Sequence, residues 1–325
     1  MKYCFIINPA SGKENTKEGL EAKIRDAAGK AEVELTVMYT EAAGDMQKYI
    51  KNFWSENSDD RIRFYVCGGD GTICEAVNGI MAIDEQYRDN VSLGVVPVGT
   101  GNDFVRNFKD NELFFDFDAQ MKASPEKIDL LKCNDMYAAN MINIGFDCQV
   151  VVKASEMRRN KLVPSKFAYM LGVLATVVKM PGVAPRVSKD GGKFEQKQLL
   201  LTTYANGSFC GGGFHSNPNA SIKSGSLNAL FIKKIGRLKL IQLIGDYKKG
   251  THLVPKFEKI LFEENASEYV LEFDKPTNVS VDGEILTLEK LEISCAKAAL
   301  NLLLPAGVTL RGAEKCVEDK QTVGV

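Results

Sequence analysis

A chain of 325 residues has room for two domains with a core each, and its 41 lysines and arginines nearly balance its 42 aspartates and glutamates, leaving a net charge of −1. So even a balance sets up no field for nucleic acid and no long basic block breaks it, which excludes the polynucleotide-binding classes. Eight cysteines lie scattered without CxxC spacing, several of them inside apolar runs (Cys4, Cys67, Cys295). No leader is read ahead of the first strand at Tyr3, and the longest apolar helical run, residues 167–178, is shorter than the ~20 residues of a membrane span. The expectation is a cytoplasmic chain with reduced thiols that does not cross the bilayer.

In chain order, YCFIINPASGK opens as a buried strand broken by Asn8 and Pro9 and closed by a small polar loop. A helix with Leu20, Ile24, Ala27 and Ala28 on one face follows, then the strand VELTVMYT, then a helix carrying Met46, Tyr49, Ile50, Phe53 and Trp54. RFYVCGGDGTICEAVNGI reads as strand, tight turn and helix: Phe64 to Cys67 are apolar, and Ile73, Ala76, Val77 and Ile80 recur at helical spacing. Gly68, Gly69 and Gly71 between them permit positive φ or close backbone approach. Thr72 followed by Glu75 fits a capping box and places the helix start there. Such a turn aims backbone N–H groups and the positive end of a helix dipole at what lies above it, a setting for phosphate. Asp70 would repel that phosphate unless a cation such as Mg²⁺ lay between them. VSLGVVPV then ends in a second glycine turn, GTGNDF, where Asn102 and Asp103 either cap the turn or set another amide and carboxylate beside Asp70. Strands alternating with helices predict a mostly parallel, doubly wound sheet, with NPASG, GGDGT and GTGND along the edge where such sheets bind ligands.

After about Pro125 the texture changes, and the expected domains are 1–127, with a returning segment at about 300–325, and 128–299. KIDLLKC and MYAANMINIGF read as a hairpin turning at Asn134 and Asp135. A helical interlude from Val151 to Met180 puts Arg158, Arg159, Lys161 and Lys166 ahead of the apolar run. QLLLTTYANG, SLNALFI, EYVLEF, TNVSVDG, EILTLE and LEISCAK read as strands of a mainly antiparallel β domain, interrupted by the basic amphipathic segment KKIGRLKLIQLIGDYKK. LNLLLP is a buried strand and the tail after it is polar. Either basic segment is a solvated face or a docking surface for anionic lipid headgroups, and the apolar run is core or the wall of an acyl-chain pocket. In VDGE, Asp282 and Gly283 form an ordinary type I′ hairpin pair, or Asp282 is a general base. His215 and His252 are too few and too far apart for zinc.

NPASG, CGGDGT, GTGNDF, IDLL, NIGFD and VDGE follow one another in an order that resembles the diacylglycerol kinase catalytic family, the soluble bacterial lipid kinases akin to diacylglycerol and sphingosine kinases. The likeness runs over nearly the whole chain. GGDGT alone is shared with NAD kinases, and neither GxGxxG nor a Walker motif is present. The resemblance implies a phosphofructokinase/NAD kinase-like α/β nucleotide domain and a β-rich lipid domain, with ATP and its acceptor meeting in the cleft. It implies that Asn8, Ser11, Gly12 and Thr40 hold the nucleotide. Gly68, Gly69, Gly71 and Thr72 would wrap its phosphates, with Gly99, Thr100, Gly101 and Asn102 in the facing turn. Asp70 and Asp103 would organise the phosphates and their Mg²⁺, and Asp129 would join a water and metal network. Asp282 is similar to the family's catalytic base, with Glu284 near the adenine or phosphate region. The implied reaction is in-line transfer of the γ-phosphoryl group to a lipid hydroxyl, most simply of diacylglycerol. The implied partners are the lipid, a transient anionic membrane surface at which the protein is peripheral, and a second copy in a homodimer. One loop departs from the pattern: where many members carry an acidic run that holds a structural Mg²⁺, this chain has NPNASIKSGSLNA, with Lys223, Ser224 and Asn228 in place of carboxylates, so that ion is expected to be absent. The alternatives are a non-catalytic nucleotide- or lipid-binding homologue and an NAD kinase.

Overall fold

The computed structural model describes residues 1–12, 19–159, 172 and 176–311. The chain divides into two units, Met1–Ile128 with Ala298–Val325, and Asp129–Lys297.

The first unit is built on a parallel sheet of β1 (Lys2–Ile7), β2 (Leu35–Tyr39), β3 (Ile62–Gly68) and β4 (Val91–Pro97), in the order β4-β3-β1-β2. The inner strands are apolar almost throughout because both faces are covered, as parallel sheets require. Phe5 stacks on Tyr65 with ring centroids 4.4 Å apart, and the Tyr65 hydroxyl donates to the Gln120 carbonyl at 2.8 Å. Helix α1 (Leu20–Lys30) buries Leu20, Ile24, Ala27 and Ala28, the residues its periodicity selects, while α2 (Asp45–Glu56) fully buries Met46 and Ile50. The chain runs outward from β1 to β2, then crosses back over β1 to enter β3. The β1–β3 junction is therefore the switch point, where two connections diverge and leave a crevice at the strands' carboxyl ends.

Helix α3 runs from Asp70 to Met81, so it begins before Thr72 and the expected capping box does not form. Gly69, extended at φ −99°, lets the chain pass straight from strand to helix, and it offers no side-chain cap. Thr72 turns its hydroxyl to Asn8 instead, and the Glu75 carboxylate accepts the Gly44 N–H at 3.1 Å, tying α3 to the loop before α2.

The second unit is mainly antiparallel. It contains β5 (Ser124–Cys133, entering from the first unit), β6 (Met136–Ala138), β7 (Met141–Gly145), α4 (Phe146–Arg159), β8 (Arg186–Lys189), β9 (Leu199–Ala205), β10 (Leu227–Lys233), α5 (Arg237–Lys249), β11 (Leu261–Ala266), β12 (Glu268–Val281) and β13 (Glu284–Leu304). The sheet order is β11-β10-β9-β7-β12, with β8 also on β12. Tyr204, Phe231 and Tyr269 form its aromatic centre, Tyr204 and Tyr269 meeting edge to face at 5.0 Å.

Three expectations need correction here. The second arm of the predicted hairpin breaks at Ala139 and Asn140: β6 pairs with β5, but β7 pairs with β9 and β12. EYVLEF and TNVSVDG are one strand, β12, with an irregularity between Glu272 and Thr277, and the last three predicted strands fuse into the 21 residues of β13. That strand crosses between the units where Ala298 takes φ +49°, and within the first unit Leu302 pairs in parallel with Leu93 of β4. The side chains of Arg158 and Arg159, the lysines Lys161 and Lys166, most of the apolar run 167–178 and the tail past residue 311 lie outside the described residues. Among the described residues no helix is long and apolar enough to cross a membrane.

Candidate active site

Three loops meet at the switch point of the first unit. The Asn8 N–H donates to the Cys67 carbonyl at 2.9 Å, and its side-chain amide reaches the Thr72 hydroxyl at 3.0 Å, with the Ser11 hydroxyl 3.4 Å from the same oxygen. Thr40, buried at the end of β2, donates its N–H to the Ile7 carbonyl at 3.0 Å. The glycines are where they are because nothing larger fits. A Cβ on Gly99 would stand 2.4 Å from the Gly69 Cα, so the two turns touch backbone to backbone. A Cβ on Gly12, at φ +73°, would stand 1.8 Å from the Val98 carbonyl oxygen, and one on Gly68 would fall 2.3 Å from the Thr72 hydroxyl. With glycine as N-cap, the first-turn N–H groups of α3 at Asp70, Gly71 and Thr72 meet no acceptor among the described residues. That is the electrostatic setting of an anion cradle.

The acids sit on the rim of this cradle. One oxygen of Asp70 accepts the Phe104 N–H at 3.0 Å, and the other faces Gly101, where a Cβ would lie 3.0 Å from it and 3.6 Å from Asp103 Oδ2. Both carboxylates therefore look onto the same glycine. Asp103 is buried and held by Arg106, whose Nε is 3.4 Å from Oδ1 and whose Nη2 donates to the Gly101 carbonyl at 3.2 Å. Arg106 carried no motif and escaped the sequence reading. Asn102, at φ +51°, closes the turn through its amide to the Pro97 and Gly99 carbonyls at 2.7 and 3.0 Å, which leaves its buried Oδ1 without a partner. Thr100 lies in the same turn.

In the second unit, Asp282 and Gly283 take φ of +47° and +96° between the paired Val281 and Glu284, the type I′ geometry the sequence suggested. The Asp282 side chain does more than turn the chain. Its carboxylate accepts the N–H groups of Ala139 at 2.7 Å, Asn140 at 3.2 Å and Met141 at 2.7 Å, which is why the predicted strand breaks there. Asn206 couples this cradle to Asp129: its amide donates to the Asp129 and Ala139 carbonyls at 2.7 and 2.8 Å, while its own N–H donates to the Asn140 carbonyl at 2.9 Å. The buried Asp129 carboxylate accepts the Gly225 N–H at 2.6 Å, closing the 221–226 loop. The buried Asn228 lies on β10 in a chain of amides, accepting from the buried Asn217 at 2.8 Å and donating to the exposed Asn265 at 3.0 Å. Glu284 is exposed. Asn140 and Asn206 were missed because their partners are distant in sequence. Asn206→Ala strips two buried carbonyls of their donor and is expected to lower unfolding free energy by roughly 2–4 kcal/mol, read by urea denaturation.

An apolar crevice in this unit is lined by Phe146, Val150, Leu201, Ile232, Leu243 and Tyr247, with a free volume of about 20 Å³, room for a water. At its edge Asp147 accepts the Tyr247 hydroxyl at 2.7 Å, and burial pushes its carboxyl up to about 6 against the opposing pull of that bond. Between the ordinary aspartate range and pH 6 the folded chain then holds a proton that the unfolded chain has lost, so this residue's contribution to stability falls as pH rises through that window. Asp147→Asn is expected to gain about 1–2 kcal/mol relative to the parent on going from pH 4 to pH 7, measured by urea denaturation at both. The two histidines are separate features: His215 stacks on Phe209 at 4.3 Å, and His252 is buried, which holds its pKa near 4. Among the described residues no three histidine, cysteine or carboxylate groups gather as metal ligands.

A glycine cradle at the switch point of an α/β unit, followed by a β-rich unit, is the two-part build of the lipid kinases that the motifs resemble. The family model of the diacylglycerol kinase catalytic domain matches residues 2–133, and that of the YegS C-terminal NAD kinase beta sandwich-like domain matches residues 140–304. The chain belongs to the diacylglycerol kinase catalytic-domain family, in its two-domain YegS-like form. It is 29% identical over 283 residues to a diacylglycerol kinase of Staphylococcus aureus (strain MRSA252), spanning 86% of this chain and 85% of that one. A diacylglycerol kinase of Staphylococcus carnosus (strain TM300) is 29% identical over 283 residues, 86% of this chain and 87% of its own. A crystal structure of a diacylglycerol kinase from Bacillus anthracis str. Sterne shares the fold with a TM-score of 0.71 at 21% identity, over 95% of this chain and 98% of that one. The family and the fold class read from the motifs are those found.

Proposed function

We propose that this protein transfers the γ-phosphoryl group of ATP to the hydroxyl of a lipid, with diacylglycerol the leading acceptor. The observation that carries the reading is the backbone contact of Gly69 with Gly99 above the uncapped start of α3, a cradle suited to a nucleotide's phosphates and too tight for side chains. The names of the relatives support the lipid acceptor.

The donor set fits a phosphate that brings Mg²⁺ with it. Asp70 and Asp103 face one glycine without closing a cage, as suits an ion held by one or two carboxylates and completed by phosphate and water. Those two residues would hold the ion, which when bound neutralises charge on the phosphate oxygens. Asn8, Ser11, Gly12 and Thr40 position the nucleotide, and Gly68 to Thr72 with Gly99 to Asn102 donate to its phosphates or leave room for them. Asp282 accepts the proton of the lipid hydroxyl, held in place by three N–H groups. Glu284 follows the Asp282 turn and is exposed, the residue proposed to contact the adenine or phosphates, and Asp129 braces the Asp282 cradle through Asn206. With Gly225 on the Asp129 carboxylate and a lysine at 223, the 221–226 loop holds no structural divalent ion; such an ion bound at Lys223 to Asn228 in a crystal overturns that point.

The purified protein is to be incubated with γ-labelled ATP and Mg²⁺, separately with diacylglycerol, sphingosine and NAD. Label in the diacylglycerol extract is expected. Formation of NADP in place of a labelled lipid overturns the proposal in favour of NAD kinase activity.

A further inference from the structure

Helix α5 has two faces of different character, both within the second unit. Its inner face, Leu240, Leu243 and Tyr247, is buried against the core. On the outward side, Leu238 is 80% exposed and Ile241, one turn on, 61% exposed. The patch continues beyond the helix. Arg237 donates to the Val177 and Val178 carbonyls at 3.3 and 2.5 Å, which brings Val178, itself 68% exposed, alongside. Leu238 and Ile241 thus expose neighbouring aliphatic side chains on one helix face, with the exposed Val178 on the segment that Arg237 holds, an unusual feature of a protein surface.

The segment that carries this apolar tip is strongly cationic. Between residues 233 and 249 the sequence places Lys233, Lys234, Arg237, Lys239, Lys248 and Lys249 against a single acid, Asp246. Their cationic groups are not neutralised by carboxylates among the described residues. Arg237 bonds backbone carbonyls, Lys233 donates to the Lys259 carbonyl at 3.0 Å, and Lys239 and Lys248 lie over the rings of Phe257 and Phe214 at 5.6 Å. Asp246, the one acid, has Lys256 at 3.9 Å. An amphipathic helix with an aliphatic tip and a cationic rim matches the boundary of an anionic bilayer, where the tip enters the acyl region and the rim meets headgroup phosphates. A second copy fits poorly, because a two-fold contact through this patch would set like charges face to face.

We propose that the outward face of α5, through Leu238 and Ile241 with the cations around them, is the surface by which this protein docks on anionic lipid bilayers. Its purpose in the cell, access to a membrane-borne acceptor, rests on the lipid-kinase reading; the docking itself does not.

The test is co-sedimentation of the full chain with vesicles of phosphatidylcholine alone or with phosphatidylglycerol, at low and high salt. The parent is expected to bind the phosphatidylglycerol vesicles, bind phosphatidylcholine weakly, and release at high salt. Leu238→Ser with Ile241→Ser, which removes only exposed side chains, is expected to weaken binding more than ~10-fold with an unchanged circular dichroism spectrum. The same variant is expected to keep parental activity on a short-chain diacylglycerol dissolved as monomers, so a missing activity speaks against the kinase reading and a missing vesicle interaction against this one. Parental binding by the double variant, or no binding by the parent, overturns the docking surface. So does a dimer in sedimentation velocity that the double variant converts to monomer while vesicle binding stays unchanged.

Discussion

Gly99→Ala is expected to weaken ATP binding, raising Kd by more than ~10-fold, about 1.4 kcal/mol. The new methyl would stand 2.4 Å from the Gly69 Cα, 3.1 Å from its nitrogen and 2.8 Å from Asn102 Oδ1. Two of those three atoms are backbone at the end of β3, which pairs with β1 and β4 on either side, so neither turn can step aside alone. Overpacking of this kind costs roughly 1–3 kcal/mol, and relief comes only by spreading the cradle that the phosphates need. Gly29→Ala is the control. It lies in α1 with nothing within 4 Å of the added carbon, and is expected to raise stability by roughly 0.5–1 kcal/mol without touching ATP affinity. Calorimetric titration with ATP and urea denaturation read both effects.

Asp282→Asn is expected to lower the rate of lipid phosphorylation by about 10²–10⁴ while leaving ATP affinity unchanged. The substitution keeps the shape and tolerates the φ of +47°, since asparagine enters the left-handed region readily. What it removes is one acceptor oxygen and the negative charge. Because Ala139, Asn140 and Met141 all donate to that carboxylate, the amide leaves at least one N–H unsatisfied, at a stability cost of about 1–3 kcal/mol. The two losses separate experimentally: rates are to be taken well below the unfolding transition, and a loss of rate in a fully folded sample belongs to the chemistry.

Much of the glycine cradle was legible in the sequence because close backbone approach demands residue types that announce themselves. Gly12 and Gly99 have to be glycine for reasons of contact distance, a Cβ on Gly69 would press on the Gly99 Cα at 3.3 Å, and each follows a strand whose apolar run is plain. The Asp282-Gly283 turn was legible for the same reason: few dipeptides accept two positive φ values. Features that depend on distant partners were not. Thr72 and Glu75 have the spacing of a capping box, yet Asn8 and Gly44 claim their side chains. Local composition cut β13 into three strands because its continuity is fixed by neighbours in both units. β11 was missed altogether, since LFEENA is polar and its pairing with β10 supplies what its sequence does not. Asn206 gave no local sign of bridging two carbonyls that stand far away in the chain.

In the proposed reaction one chain supplies both a nucleotide cradle and a base for a lipid hydroxyl. This reaction is tested most directly by a time course of label passing from γ-labelled ATP into the lipid extract, with diacylglycerol as acceptor, for the parent and Asp282→Asn side by side. Steady transfer by the parent is expected, with a rate at least ~100-fold lower in the variant at equal ATP occupancy. Tight ATP binding by the parent with no label in any lipid, or equal rates for the two proteins, would contradict the proposed reaction.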